Sequence, residues 1–285
     1  MNNAPYFKKL FFVFCAISNR ELLKFSNQYA RLISAIIRPL VWLIIFASGF
    51  RSILGVSIVP PYQTYVTYDV YITPGLCAMM ILFFGMQTSL SIVYDREMGT
   101  MRLLMTAPFP KAILVIFRVF STSLIGVLQV YCFLFLANLF GVSFSFYYLL
   151  ISFPVFLICA FMFGMFGLVL SLTVSQLENF AGVMNFVIFP CFFLSSALYP
   201  IWKIKESNPF LAILTQYNPF THAVELIRFS LYGNFNLSSF YYILFFTISC
   251  SVLSLLVYSK KKYCNEIIIL IGMNFLIYLI LMYLH

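Results

Sequence analysis

The sequence predicts an all-α, polytopic membrane protein of six spans, and three observations carry that prediction. Of its 285 residues 63% are hydrophobic and 9% charged, with mean hydropathy +1.00, whereas about a quarter of residues are charged in soluble domains. Apolar runs of 18 or more residues recur along the chain, each long enough to cross ~30 Å of hydrocarbon as a helix. The basic residues also segregate. Lys8, Lys9, Arg20, Lys24, Arg31, Arg96, Arg102, Lys111, Arg118, Lys260, Lys261 and Lys262 fall on one side of the counted spans, and Arg51, Lys203, Lys205 and Arg228 on the other. The positive-inside rule makes the first side cytoplasmic, with the N-terminus there. The net charge of +9 is thus topological. No basic patch gathers as a nucleic-acid footprint requires.

Residues 1–31 predict a helix lying in the cytoplasmic interface. Phe7, Leu10, Phe11, Phe14 and Ile17 make one helical stripe, with Lys8, Lys9, Arg20 and Lys24 among the polar residues around it. Phenylalanines on such a helix enter the acyl boundary while lysines face headgroups. Lys8-Lys9 before Leu10–Ile17 also imitates a signal peptide, but no small-x-small cleavage site follows. The first span is expected at about Ile36–Ile53 and contains Arg38-Pro39. Near the cytoplasmic end Arg38 snorkels to the headgroups; a substrate-binding arginine is the sharper alternative.

An external loop, Gly55 to Thr73, precedes a second span at about Pro74–Val93 whose Gly85, Gln87, Thr88, Ser89 and Ser91 suit helix–helix contact or a pathway. The third span is expected at about Ile113–Ala137 and the fourth at about Leu149–Thr173, where Gly164 and Gly167 invite close packing. A turn at Ser175–Asn179 leads to the fifth span, about Phe180–Leu198, and the sixth is about Ser239–Tyr258. Beyond Lys260–Lys262, the segment 263–285 holds a further apolar run, Glu266–Leu284, that either spans or lies along the interface.

Two connectors carry the information. Tyr94 to Arg118 reads as a short cytoplasmic helix from about Asp95 to Thr106, inside a connector segment 95–107. Met98, Met101, Leu104 and Met105 form its stripe, and Ala107-Pro108 and Phe109-Pro110 end it. On the outer side, residues 199–238 repeat one helix start twice, Asn208-Pro209-Phe210 and Asn218-Pro219-Phe220, with asparagine as cap and proline at the first helical position. In the second of these helices Phe220, Ala223, Val224, Ile227 and Leu231 form the apolar face. Thr221, His222, Glu225 and Arg228 form the polar one, and Gly233 suits the stop. Glu225 and Arg228, three apart, pair locally.

These two connectors resemble those of type-2 ABC export permeases. Glu97, Gly99, Thr100, Leu103, Leu104 and Pro108 match the family's coupling segment after the second span. PCFFLSSALYP (Pro190–Pro200) and NPFTHAVELIRFSLYG are similar to its fifth-span ending and external re-entrant helix. The resemblance covers about residues 5–262 and implies a six-span permease domain, 32–262. It implies that Asp95, Arg96, Glu97, Gly99, Thr100, Met101, Leu103, Leu104 and Pro108 dock a separate ATPase subunit, with Glu97 favouring the coupling helix's N-terminal dipole. Asn218, Pro219, His222, Glu225 and Arg228 carry the re-entrant helix. Two copies of the chain would work with two ATPases in a bacterial inner membrane. ATP and magnesium would sit on those partners, and none on this chain, which lacks G-x-x-x-x-G-K-[ST]. Within the family the closest likeness is to exporters of nodulation lipo-oligosaccharides and daunorubicin-type drugs, implying an amphiphilic cargo.

Other classes fare worse. Seven scattered cysteines without C-x-x-C argue against a disulfide framework or zinc. Eight acidic residues, none clearly mid-membrane, argue against an ion-coupled carrier. His222 and Glu225 lack the second histidine of H-E-x-x-H. A membrane-embedded enzyme acting on lipid-linked substrates is the alternative function, with 199–238 its one candidate site, and a scaffold without transport is a third.

Overall fold

The computed structural model describes residues 6–50, 67–100, 106, 109–142, 144–174 and 176–259, which form helices and their connectors. In order these are α1 (Tyr6–Ser26), α2 (Tyr29–Phe50), α3 (Tyr68–Glu97), α4 (Lys111–Leu139), α5 (Phe146–Ile151) and α6 (Phe153–Thr173), then α7 (Leu177–Phe193), α8 (Ile201–Ser207), α9 (Pro209–Tyr217), α10 (Pro219–Leu231) and α11 (Leu237–Ser259). Predicted features at Arg51, most of the external loop (55–66), Met101–Met105, Ala107-Pro108, Lys260–Lys262 and 263–285 lie outside the described residues.

Helix α3 is the axis of the bundle. It is apolar nearly all round, so it buries on every side, and α2, α4, α6, α7 and α10 all pack on it. Small residues let α6 approach closely. A Cβ on Gly85 would stand 2.8 Å from the Phe163 carbonyl carbon, and one on Gly167 would run into the Ser89 hydroxyl. Glycine at both positions trades helix propensity for backbone proximity, the usual bargain between membrane helices. Large apolar side chains also face outward, among them Leu128, Phe135, Phe186 and Phe245, a surface suited to lipid.

Among the described residues, four stretches are long and apolar enough to cross a membrane: Tyr68–Glu97, Lys111–Leu139, Phe146–Leu172 and Leu237–Leu256. The other two expected spans have shorter apolar helices, Ile33–Phe46 within α2 and Leu177–Phe193. Several boundaries move. Helix α3 starts at Tyr68, not Pro74, so Pro74 sits inside the helix and forgoes the i→i−4 hydrogen bond to the Val70 carbonyl. Helix α7, at the fifth expected span, stops at Phe193 rather than Leu198. Ser195, Ser196, Ala197 and Leu198 instead form a buried turn, stitched by Asn218 Nδ2 donating to the carbonyls of Cys191 (2.7 Å) and Leu194 (2.6 Å). Three short helices, not two, follow it, although both predicted asparagine starts hold. Asn208 Oδ1 accepts from the Phe210 amide at 3.0 Å, and Asn218 Oδ1 accepts from the Phe220 amide at 3.0 Å. Gly233, at φ +75°, follows the end of α10 in the left-handed conformation that glycine adopts without penalty.

Candidate functional site at the charged junction of three helices

Helix α1 packs across the first turns of α4, but not as the amphipathic stripe suggests. Phe14 meets Phe117 edge-on at 5.4 Å and Ile17 is buried, whereas Phe7 and Phe11 stay exposed. Arg20 and Lys24 turn toward the bundle, whereas the interface-helix reading has lysines facing headgroups. Spaced four apart, Arg20 and Lys24 share one side of α1, and that side lies against the last turns of α3. There Ser91 and Asp95, also four apart, face back. Helix α4 supplies Arg118 from its second turn. Lys8 and Lys9 lie outside this contact, Lys8 exposed and Lys9 half-buried.

Asp95 is the hub. Its carboxylate accepts from Arg118 Nη2 (2.6 Å), Lys24 Nζ (3.1 Å) and Arg20 Nη2 (3.2 Å). Glu21, itself buried, lies 3.2 Å from Arg118 Nε and 3.3 Å from Arg20 Nη1. Ser91 Oγ accepts from Lys24 (2.8 Å) and Arg118 (3.2 Å), and Ser18 and Ser121 join α1 to α4 at 2.8 Å. Three cations thus surround two carboxylates and one hydroxyl. Buried charge is tolerated when it is paired and hydrogen-bonded in this way. The cluster ties α1, α3 and α4 into one mechanical unit.

The coupling segment leaves from this unit. Asp95, Arg96 and Glu97 belong to the last turn of α3 and not to a separate helix from Asp95 to Thr106. The helix breaks at Met98–Gly99, where Gly99 has φ +74°, and helical geometry resumes at Thr100. Glu97 is therefore the last residue of α3. Asp95 is shielded, so it braces the connector from inside, while Glu97 and Thr106 are exposed. Thr100 Oγ1 donates to the Asp95 carbonyl at 3.0 Å. Arg96 Nη2 donates to the carbonyls of Ser171 (2.9 Å) and Val174 at the end of α6. Met101, Leu103, Leu104 and Pro108 lie outside the described residues. Sequence reasoning missed Glu21 and the pairing role of Arg118. The available signal was an acid inside a basic stretch and the i, i+4 pair Ser91/Asp95.

At the other end of α3, the re-entrant residues gather differently. Glu225 and Arg228 pair as expected, at 2.6 Å. Arg228 is nonetheless not on a solvent face. It is 1% exposed, donates to the Ser196 carbonyl at 2.8 Å and stacks 4.2 Å from the Tyr71 ring centroid. Thr221 is buried as well. His222 stacks on Tyr242 at 3.9 Å with Nδ1 3.3 Å from Ser239 Oγ, and burial pulls its imidazole below the ordinary value. The Asn218-Pro219 start, Glu225 and Arg228 act together to pin the buried turn 194–198.

A bundle of apolar helices, braced by ionic contacts at one end and by the capped short helices α9 and α10 at the other, defines a multi-pass membrane protein. The chain belongs to the ABC-2 type transporter family, whose model matches residues 13–232. Among curated proteins it is similar to the "Putative transport permease ycf38" of Porphyra purpurea, 28% identical over 223 residues, covering 77% of this chain and 73% of the relative. The protein of the same name from Cyanophora paradoxa is 25% identical, covering 74% of this chain and 71% of that one. For Pyropia yezoensis the identity is 26%, with coverage of 78% and 74%.

Proposed function

We propose that this chain is the membrane-spanning subunit of an ATP-driven exporter, working as a homodimer with separate ATPase subunits that hold ATP and magnesium. The observation that carries the reading is the Asp95–Arg118–Glu21 junction. It makes α1, α3 and α4 move together where the connector 98–110 emerges, so a push on the connector reaches the bundle interior instead of bending one helix. A partner that closes on ATP and opens on its hydrolysis biases such an element between two arrangements. The cargo is an amphiphile, a glycolipid, an oligosaccharide or a hydrophobic drug-like compound. The membrane is a bacterial inner membrane with the N-terminus on the cytoplasmic side, a placement supported by the distribution of lysine and arginine.

The test is affinity purification of the tagged protein in gentle detergent, with mass spectrometry of what accompanies it. A P-loop ATPase is expected with the wild type. In Glu97→Lys, whose exposed side chain changes sign, it is expected to be lost, or retained without substrate-stimulated hydrolysis. Wild-type protein that brings down no ATPase, where a known ABC complex survives, would sink the reading, as would full stimulation in Glu97→Lys.

A further inference from the structure

Where α2, α3 and α4 meet, they form an open groove with about 30 Å³ of internal room, lined by Arg38, Trp42, Met79, Phe83, Gln87 and Gln129 among others, with Arg38 exposed at its rim. Met79, Phe83 and Gln87 recur every fourth residue and so present one face of α3 to it. Most of the wall is apolar, but hydrogen-bond donors break it at separate depths. Gln87 lies eight residues from Met79, about 12 Å along the helix.

Among the described residues, two of these donors have no protein partner. The Arg38 guanidinium lies 4.9 Å from the Phe83 ring centroid, and among the described residues no carboxylate stands within ion-pair distance of it. A cation on a membrane helix is costly and ordinarily finds a counter-charge; an aromatic face is a weak substitute. Gln129 is 5% exposed, and its Nε2 has no hydrogen-bond partner among the described residues. Buried amide donors are rarely left so. An exposed cation at the rim and a buried unpaired donor facing one apolar groove match a ligand with a negative head, further acceptor oxygens and an apolar tail.

We propose that this groove binds an anionic amphiphile from the surrounding membrane. Its phosphate or carboxylate sits against Arg38, its linkage oxygens against Gln129, and its chain along Trp42, Met79 and Phe83. A neutral or cationic amphiphile would leave the Arg38 charge unanswered. The binding claim stands on the groove alone. Assigning the ligand as cargo deepens the exporter reading above and rests on it.

Trp42 supplies the probe. The chain has 2 tryptophans, so Trp202→Phe leaves Trp42 as the sole reporter, and lipids with dibrominated acyl chains quench it on contact. In detergent–lipid mixed micelles, dibrominated phosphatidylglycerol is expected to half-quench Trp42 at a roughly fivefold lower mole fraction than dibrominated phosphatidylcholine. The preference should vanish in Arg38→Gln, weaken in Gln129→Leu and persist in Arg38→Lys, each checked for an unchanged melting temperature. Equal quenching by the two lipids, or a preference untouched by Arg38→Gln, overturns the proposal. Co-reconstitution with the recovered ATPase then separates the two sources of such a ligand. ATP-dependent transfer of a fluorescent phosphatidylglycerol between leaflets, lost in Arg38→Gln, marks the groove as a cargo site; charge-selective binding without transfer marks a resident lipid, and either result supports the anion site. Failure to recover an ATPase would sink the exporter reading and leave the quenching result intact.

Discussion

Arg118 Nη2 lies 2.6 Å from Asp95 Oδ2, and the two side chains are 1% and 5% exposed. Twenty-three residues apart in sequence, they join the end of α3 to the start of α4 across the connector between them. A buried pair contributes little net stability compared with apolar residues of the same shape, but removing one partner strands the other. Asp95→Asn should therefore destabilise the protein by about 3 kcal/mol, read as a fall in melting temperature in detergent. Asp95→Leu combined with Arg118→Met should cost less than the two single losses added together. Strict additivity would show that the two side chains do not act as a pair.

Gly85 and Gly167 hold α3 against α6. Alanine at Gly85 would press on the Phe163 backbone, and alanine at Gly167 on the Gly85 carbonyl at 2.9 Å. Because backbone yields less than side chains, each change should cost about 1–3 kcal/mol. Gly182→Ala is the control, since nothing stands within 4 Å of its new methyl, and the higher helix propensity of alanine should leave stability unchanged or slightly raised. Comparable melting temperatures for all three variants would contradict this packing.

Arg228 combines an ion pair, a carbonyl hydrogen bond and a stacked aromatic ring. Arg228→Lys keeps the charge but not the planar fork, so it should recover little of the stability lost in Arg228→Ala. The loss in the alanine variant is expected at about 3 kcal/mol, because Glu225 remains partly buried and unpaired. Limited proteolysis should show the turn 194–198 opening in both variants. A lysine variant as resistant as wild type would place the weight on charge alone.

His222 makes one end of the bundle sensitive to pH. Burial depresses its folded pKa below the unfolded value of 6.5, so the neutral ring is the form that folding favours. The stability it contributes is fully present above about pH 6.5 and is lost as pH falls through the lower folded pKa. Wild type should lose more melting temperature between about pH 7.5 and about pH 5 than His222→Gln, which keeps a polar side chain but does not titrate. Parallel pH profiles for the two proteins would refute this.

Much of this molecule was legible in its residues because a membrane imposes hard rules on sequence. Long apolar runs are needed to satisfy backbone groups in hydrocarbon, so four of the expected spans appear near their predicted places. Asn208-Pro209 and Asn218-Pro219 announce helix starts through purely local chemistry, and both caps form. Glu225 and Arg228 meet because one turn of helix brings them together. The re-entrant and coupling wording likewise placed the chain in the family whose model matches residues 13–232.

Tertiary structure decided what local pattern leaves open. Periodicity assigns a face to a helix but does not say what that face meets. Lys24 reads as part of a helix whose lysines face headgroups and instead binds Asp95 beside Arg20, and Arg228, which reads on the polar face of its helix, is buried against Tyr71. Glu21 and Arg118 had no mutual signal at all, being brought together by the crossing of α1 over α4. The chain by itself determined its solvent, its helices and their caps, because hydrophobic length and capping act within a few turns. Only the packed bundle decided which charges answer one another. In a low-dielectric interior, pairing depends on distances between helices, and those distances are set by glycines, aromatics and crossing geometry far along the chain.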